Sequence, residues 1–74
     1  MSNLEPEIIT LFDIQYFVDW KNLQLGGSFF LPTTATAKMV QRILKPYERV
    51  LDMQLEVHNR TEYGRYGVRV WRLG

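Results

Sequence analysis

The spacing of apolar residues predicts one amphipathic helix near the middle of the chain. Val40, Ile43, Leu44 and Tyr47 recur at i, i+3, i+4 and i+7, which places them on one helical face. Residues 35–45 are mostly good helix formers. This face is the predicted core side of the helix.

A threonine pair and a proline predict the ends of this helix. Thr33 or Thr34 can cap the N-terminus by accepting a hydrogen bond from a backbone N–H group. Pro46 removes one helical N–H and clashes with the preceding turn, so we expect the helix to end or kink near Lys45. Apolar residues beyond the proline keep the helical phase, so a short extra turn stays open.

From Met53 onward the apolar residues recur at every second position and no longer at the helical spacing of 3.6 residues. Met53, Leu55 and Val57 alternate with polar residues, as expected for a strand with one buried face. Residues 68–73 predict a second strand, with the valines on one side and Arg69 and Trp71 on the other. We expect an antiparallel hairpin whose turn region covers residues 59–67.

The sequence does not decide the secondary structure of the segment before the helix. Residues 8–20 are dense in β-branched and aromatic residues and are compatible with strand or with a short helix. As strand, the segment splits near Asp13 into two apolar halves; as helix, it groups Ile8, Leu11, Phe12 and Gln15. Residues 28–31 predict a short strand that Pro32 stops.

These elements together predict an α+β fold, a small antiparallel sheet with one main helix packed on a face. A chain of 74 residues supports one core. Residues 1–7 are polar and contain Pro6, so we expect a flexible N-terminal arm there and a single α+β domain over residues 8–74.

The net charge of +1 conceals an asymmetry between the two halves of the chain. Residues 1–37 contain one lysine and four carboxylates, a net charge of −3, whereas residues 38–74 contain eight cations and four carboxylates, a net charge of +4. The charges either pair within the monomer or form two faces of opposite sign for binding partners.

The residues available for chemistry argue against an enzyme. The chain has no cysteine, one histidine at position 58, and no spacing typical of a metal site, a phosphate-binding loop or a catalytic triad. We therefore expect no catalytic residue, no metal and no cofactor. No stretch approaches the roughly 20 apolar residues that cross a bilayer, and we expect a soluble monomer without a membrane partner.

The closing part of the sequence interleaves positive charge with aromatic rings. Its members are Arg60, Tyr63, Arg65, Tyr66, Arg69, Trp71 and Arg72. Such a surface can bind phosphates and stack on bases, or it can bind an acidic protein. Arginine, tyrosine and tryptophan also dominate the hot spots of protein interfaces. The alternative is that the arginines only solvate a sheet edge.

Three features together carry a resemblance to a known group of proteins. They are the Gly-Ser-Phe-Phe-Leu-Pro run at residues 27–32, the basic helix, and the closing Gly-Val-Arg-Val-Trp-Arg run at residues 67–72. Over about residues 26–73 the chain resembles small proteins of lytic bacteriophages that regulate transcription. Those regulators bind bacterial RNA polymerase, block promoter-dependent initiation and promote antitermination.

The resemblance implies a polymerase partner near the RNA exit channel in the host bacterial cytoplasm, with nascent RNA or DNA as a possible neighbour. It transfers no individual contact residues. From apolar burial and charge complementarity we predict that the contacts combine the N-terminal segment with the hairpin. These predicted contact residues are Ile8, Ile9, Leu11, Phe12, Arg60, Arg65, Tyr66 and Arg69.

Two other classes of function stay open. One is an autonomous nucleic-acid-binding module that uses the basic, aromatic C-terminal hairpin, for which steep salt dependence would be the sign. The other is a structural or virion protein that self-associates through the apolar N-terminal segment.

Overall fold

The computed structural model describes residues 7–74. The predicted flexible arm covers residues 1–7. Residues 1–6 lie outside the described residues, and only Glu7 lies within them. The Glu7 carbonyl accepts a hydrogen bond of 2.8 Å from the Val18 N–H. This hydrogen bond attaches the backbone of Glu7 to the residue that follows β2.

The predicted α+β class is confirmed, with two antiparallel sheets in place of one. In chain order the elements are β1 (Ile8–Leu11), β2 (Ile14–Phe17), a 3₁₀ turn (Trp20–Asn22), β3 (Ser28–Pro32), α1 (Ala37–Leu51), β4 (Leu55–Glu62) and β5 (Arg65–Arg72). Strands β1 and β2 form one sheet, and the other has the order β3-β5-β4. No helix over residues 7–74 is long and apolar enough to span a membrane.

Residues 8–20 adopt the strand alternative, with the break at the expected place. Leu11 pairs with Ile14, so Phe12 and Asp13 alone form the turn of an N-terminal hairpin. Both turn residues have positive φ, +49° and +65°. This is the conformation of a type I′ turn, which matches the right-handed twist of the two strands.

Helix α1 is longer at its C-terminal end than the sequence predicts. It begins at Ala37, and its cap is Thr36, whose Oγ1 accepts the Met39 N–H at 3.2 Å. The helix does not end near Lys45 but continues through Pro46 to Leu51, which is the extra turn that the sequence leaves open. Burial of Tyr47 beyond the proline offsets the lost hydrogen bond.

The predicted turn over residues 59–67 is also wrong. Strands β4 and β5 pair along eight residues each, from Leu55 opposite Arg72 to Glu62 opposite Arg65. Only Tyr63 and Gly64 form the turn, both with positive φ. Polar residues extend the strands here because side chains near the tip face solvent, so no apolar alternation is needed.

Strand β5 is the centre of the core. It pairs with both β3 and β4, and its Val68 and Val70 side chains are fully buried. Val40, Leu44 and Tyr47 of α1 belong to the same hydrophobic cluster. This confirms the helical face that the sequence predicts, although Ile43 is only partly buried.

Three contacts attach the N-terminal hairpin to this core. The Tyr47 hydroxyl donates to the Ile8 carbonyl at 2.9 Å, and the Tyr16 hydroxyl donates to the Pro32 carbonyl. The Trp20 ring, just after β2, packs edge-on against Phe29 with ring centroids 5.3 Å apart. The hairpin is thereby fixed beside β3 and α1.

Replacing Val70 with alanine should lower the free energy of unfolding by about 2 kcal/mol, because it leaves a cavity in the centre of the sheet. Replacing the exposed Val50 on the helix with alanine is the matched control and should change it by less than about 0.5 kcal/mol. Urea denaturation measures both. Equal midpoints for the two variants would contradict the assignment of β5 as the core strand.

Candidate functional site

A groove lies where the turn of the N-terminal hairpin meets the start of β5. Its volume is about 360 Å³. Phe12 and Ile14 line one side, Arg65 and Tyr66 line the other, and residues 32–34 lie between them. We call this the hairpin groove, since each of the two hairpins contributes one side.

Three apolar or aromatic side chains of the hairpin groove are exposed to solvent. Phe12 is 57% exposed, Ile14 55% and Tyr66 51%. Single exposed apolar residues are ordinary on protein surfaces, but a contiguous group around a concave site is typical of an interaction surface.

Tyr66 is held in place by a short chain of hydrogen bonds. Its hydroxyl accepts from Asn59 Nδ2 at 2.9 Å, and Asn59 Oδ1 accepts the Ala37 N–H at the start of α1 at 3.2 Å. The Tyr66 carbonyl accepts the Thr33 N–H at 3.3 Å. The ring is therefore positioned before any partner arrives, which reduces the entropy lost on binding.

Arg65 adds a positive charge to the apolar groove. None of the ion pairs found over residues 7–74 includes Arg65. A carboxylate of a partner can therefore pair with its guanidinium without first displacing an acidic residue described in the chain.

The turn that presents Phe12 is under local strain. A bulky residue with a φ of +49° is a rare conformation, and asparagine or glycine would suit a type I′ turn better. Such outliers occur most often at functional sites. Tyr63 combines the same exposed ring and positive φ in the other hairpin. The position of Phe12 in the hairpin groove is what makes it the candidate contact residue.

The structure brings three of the predicted contact residues together and separates the others from them. Phe12, Arg65 and Tyr66 share the hairpin groove. Ile9 and Leu11 are 0% and 2% exposed, so in this fold neither can contact a partner. Their apolar character serves the core, which is a correction to their predicted role.

Ile8 is also removed from the groove. It lies at the opposite end of β1 from the turn, where it pairs with Phe17. Its side chain is half-buried, and its carbonyl is bonded to Tyr47.

The two remaining predicted residues, Arg60 and Arg69, lie on the face of the three-stranded sheet that turns away from α1. Arg69 donates to both carboxylate oxygens of Glu62, at 2.6 and 2.5 Å, and to Ser28 Oγ at 2.8 Å. The hydrogen bonds from Arg69 hold the pKa of the Glu62 carboxyl below its usual range. Arg69 is therefore committed to an internal ion pair.

Arg60 belongs to an aromatic and cationic cluster on the same open face. Its guanidinium lies 5.9 Å from the centre of the Trp71 ring, and the His58 ring packs edge-on against that ring at 5.5 Å. Arg60 Nε is also 3.9 Å from Glu62. Phe30, on β3 across from Arg69, extends this cluster.

Sequence reasoning missed Ile14 and Pro32 as parts of the groove. Periodicity marks Ile14 as an apolar residue of β2, but its exposure depends on where the hairpin docks, which no local pattern reveals. The sequence indicates Pro32 only as the end of a strand. Its place at the base of the groove follows from its pairing with Gly67.

Comparisons with known proteins add no relative of this chain. No protein family, no curated protein and no solved structure matches it. Within residues 7–74 no three histidine, aspartate or glutamate side chains lie close enough together to hold a metal ion. The functional argument therefore rests on the hairpin groove, the open sheet face and the sequence.

Replacing Glu62 with glutamine should lower the free energy of unfolding at neutral pH. It should also make that free energy depend less on pH in the acid range. The pKa of Glu62 is lower in the folded protein than in the unfolded chain. The ionised carboxylate therefore stabilises the fold above the unfolded-state pKa, and this stabilisation is lost as pH falls through the folded-state pKa. Urea midpoints should therefore converge for the two proteins below about pH 4. A constant difference at every pH would exclude this linkage.

Proposed function

We propose that this chain is a bacteriophage transcription regulator that binds bacterial RNA polymerase, inhibits promoter-dependent initiation and promotes antitermination. The observation that supports a protein-binding role is the hairpin groove, with its exposed apolar residues around Arg65. The polymerase as partner comes from the resemblance of residues 26–73 to phage regulators.

The groove suits a protein better than a small molecule. Its apolar residues lie beside one guanidinium, an arrangement that fits an apolar side chain flanked by a carboxylate. Phenylalanine, tyrosine and arginine are residue types enriched at protein interfaces. Their fixed positions would let a few contacts supply most of the binding free energy.

Regulation then follows from occupancy and needs no catalysis. A bound chain covers a polymerase surface that the initiation factor requires, so promoter recognition fails. The same chain, held near the RNA exit channel as the resemblance implies, alters the path of the transcript and opposes termination. Both effects require only a stable complex at one position on the enzyme.

Retention of the purified chain on RNA polymerase core and holoenzyme tests the proposal, followed by promoter-dependent initiation and terminator-readthrough assays. We expect stoichiometric retention, reduced initiation and increased readthrough. An absence of retention at micromolar concentrations of both proteins would refute the polymerase as partner.

Replacing Tyr66 with alanine should weaken polymerase binding about tenfold, since it removes a positioned ring from one side of the groove. Replacing Tyr63 with alanine is the matched control, because Tyr63 is a more exposed tyrosine of the same hairpin that does not line the groove. Titration with labelled polymerase gives both affinities, and circular dichroism verifies folding. Equal losses in the two variants would remove the groove from the interface.

Replacing Phe12 with asparagine should separate folding from binding. Asparagine tolerates positive φ, so the free energy of unfolding should rise by about 0.5 to 1 kcal/mol. Polymerase affinity should fall because the exposed ring is lost. Denaturation and binding titrations measure the two effects. A variant that binds as well as the parent would show that the strained turn serves no contact.

The open sheet face supports a second candidate, a module that binds single-stranded nucleic acid. Phe30 and Trp71 offer rings for stacking, and Arg60 lies beside them. The internal pairing of Arg69 with Glu62 reduces the charge available to phosphates. Steeply salt-dependent binding to a labelled oligonucleotide, abolished by replacing Trp71 with alanine, would favour this candidate over the regulator.

A further inference from the structure

Strand β4 forms one outer edge of the three-stranded sheet, because the strand order is β3-β5-β4. In an antiparallel pair, alternate residues direct their N–H and C=O groups toward the partner strand or away from it. Leu55 directs them away from β5. Its N–H donates to Glu48 Oε2 and its carbonyl accepts from Gln41 Nε2, both at 3.1 Å.

The same alternation makes three further residues of β4 face outward. Val57, Asn59 and Thr61 follow Leu55 at intervals of two, so their backbone groups also point away from β5. Over residues 7–74 no hydrogen bond fills these backbone positions. Helix side chains protect the edge at Leu55 and leave it open beyond.

A basic groove adjoins this edge at Val57. Its volume is about 460 Å³, and it is lined by Val57 of β4 and by one side of α1, from which Lys38, Arg42 and Lys45 contribute charge. Among residues 7–74, no carboxylate lines it. Lys45 lies 3.8 Å from Glu48, whereas Lys38 and Arg42 have no ion pair within the described part of the chain.

We propose that this edge binds an acidic, extended peptide segment of a partner protein, which adds to the sheet as a fourth strand beside β4. The segment's backbone would pair with the outward groups of Val57, Asn59 and Thr61, and its carboxylates would pair with Lys38 and Arg42. This site is separate from the hairpin groove and does not depend on the identity of the polymerase as partner.

The physical chemistry favours a peptide over a nucleic acid here. A strand edge offers donors and acceptors in alternation, which another peptide backbone matches, whereas phosphates only accept. None of the described residues that line the groove has an aromatic side chain for stacking bases. Cations four residues apart lie about 6 Å apart along a helix, close to the roughly 6.6 Å between alternate residues of a strand.

A fluorescein-labelled peptide of alternating glutamate and valine, seven residues long, is the probe. Replacing Lys38 with glutamate should weaken its binding about fivefold or more in fluorescence anisotropy. Replacing Lys21 with glutamate makes the same change of charge outside the groove and should leave affinity within about twofold. Equal weakening by both substitutions would overturn the site.

Strand addition has a signature that general charge attraction lacks. Hydrogen exchange at the Val57, Asn59 and Thr61 amides should slow at least about tenfold when the peptide binds. Replacing Thr61 with proline removes one outward N–H donor but no hydrogen bond between β4 and β5. It should therefore weaken binding of the peptide. Absence of peptide binding, unchanged exchange at these amides, or displacement of the peptide by an oligonucleotide of equal charge would each refute the proposal.

Discussion

A hairpin of two four-residue strands is not stable alone in water, so β1 and β2 depend on their docking against α1 and β3. That docking buries Ile9 and Leu11 and uses the hydroxyl groups of Tyr47 and Tyr16 to bond the backbone on either side. Once these contacts fix the hairpin, the position of its turn beside the start of β5 is also fixed. The hairpin groove is therefore a result of core packing, and mutations deep in the core should disturb it.

The cations of the basic half divide into groups that differ in their partners. Arg69 is held by Glu62 and Ser28 and stabilises the open sheet face. Arg65 and Lys38 have no ion pair among the residues described. Arg65 lies beside the apolar residues of the hairpin groove, and Lys38 lies beside two other cations in the groove next to β4. A net charge counted over half of the chain conceals this difference, since equal charges are committed to the fold at one site and available at another.

Period and propensity were sufficient to predict the α+β class, the buried side of α1 and the opposite directions of Val70 and Arg69. They did not decide between strand and helix for residues 8–20, and placed a break at Asp13 only for the strand alternative. They failed at Pro46, because tertiary burial of Tyr47 outweighs a local helix breaker. They failed again between β4 and β5, where polar residues extend the strands. The groove combines residues more than 50 positions apart, and only the docked hairpin brings Phe12 next to Arg65.

Asn59 belongs to the proposed β4 edge, and its side-chain amide connects that edge to the hairpin groove. It donates to the Tyr66 hydroxyl in the hairpin groove and accepts the Ala37 N–H at the first turn of the helix that carries Lys38. A partner that displaces Tyr66 would alter the start of that helix through this one amide. Thermodynamic linkage then requires reciprocity, so an occupant of the β4 edge would change the affinity of the groove by the same factor.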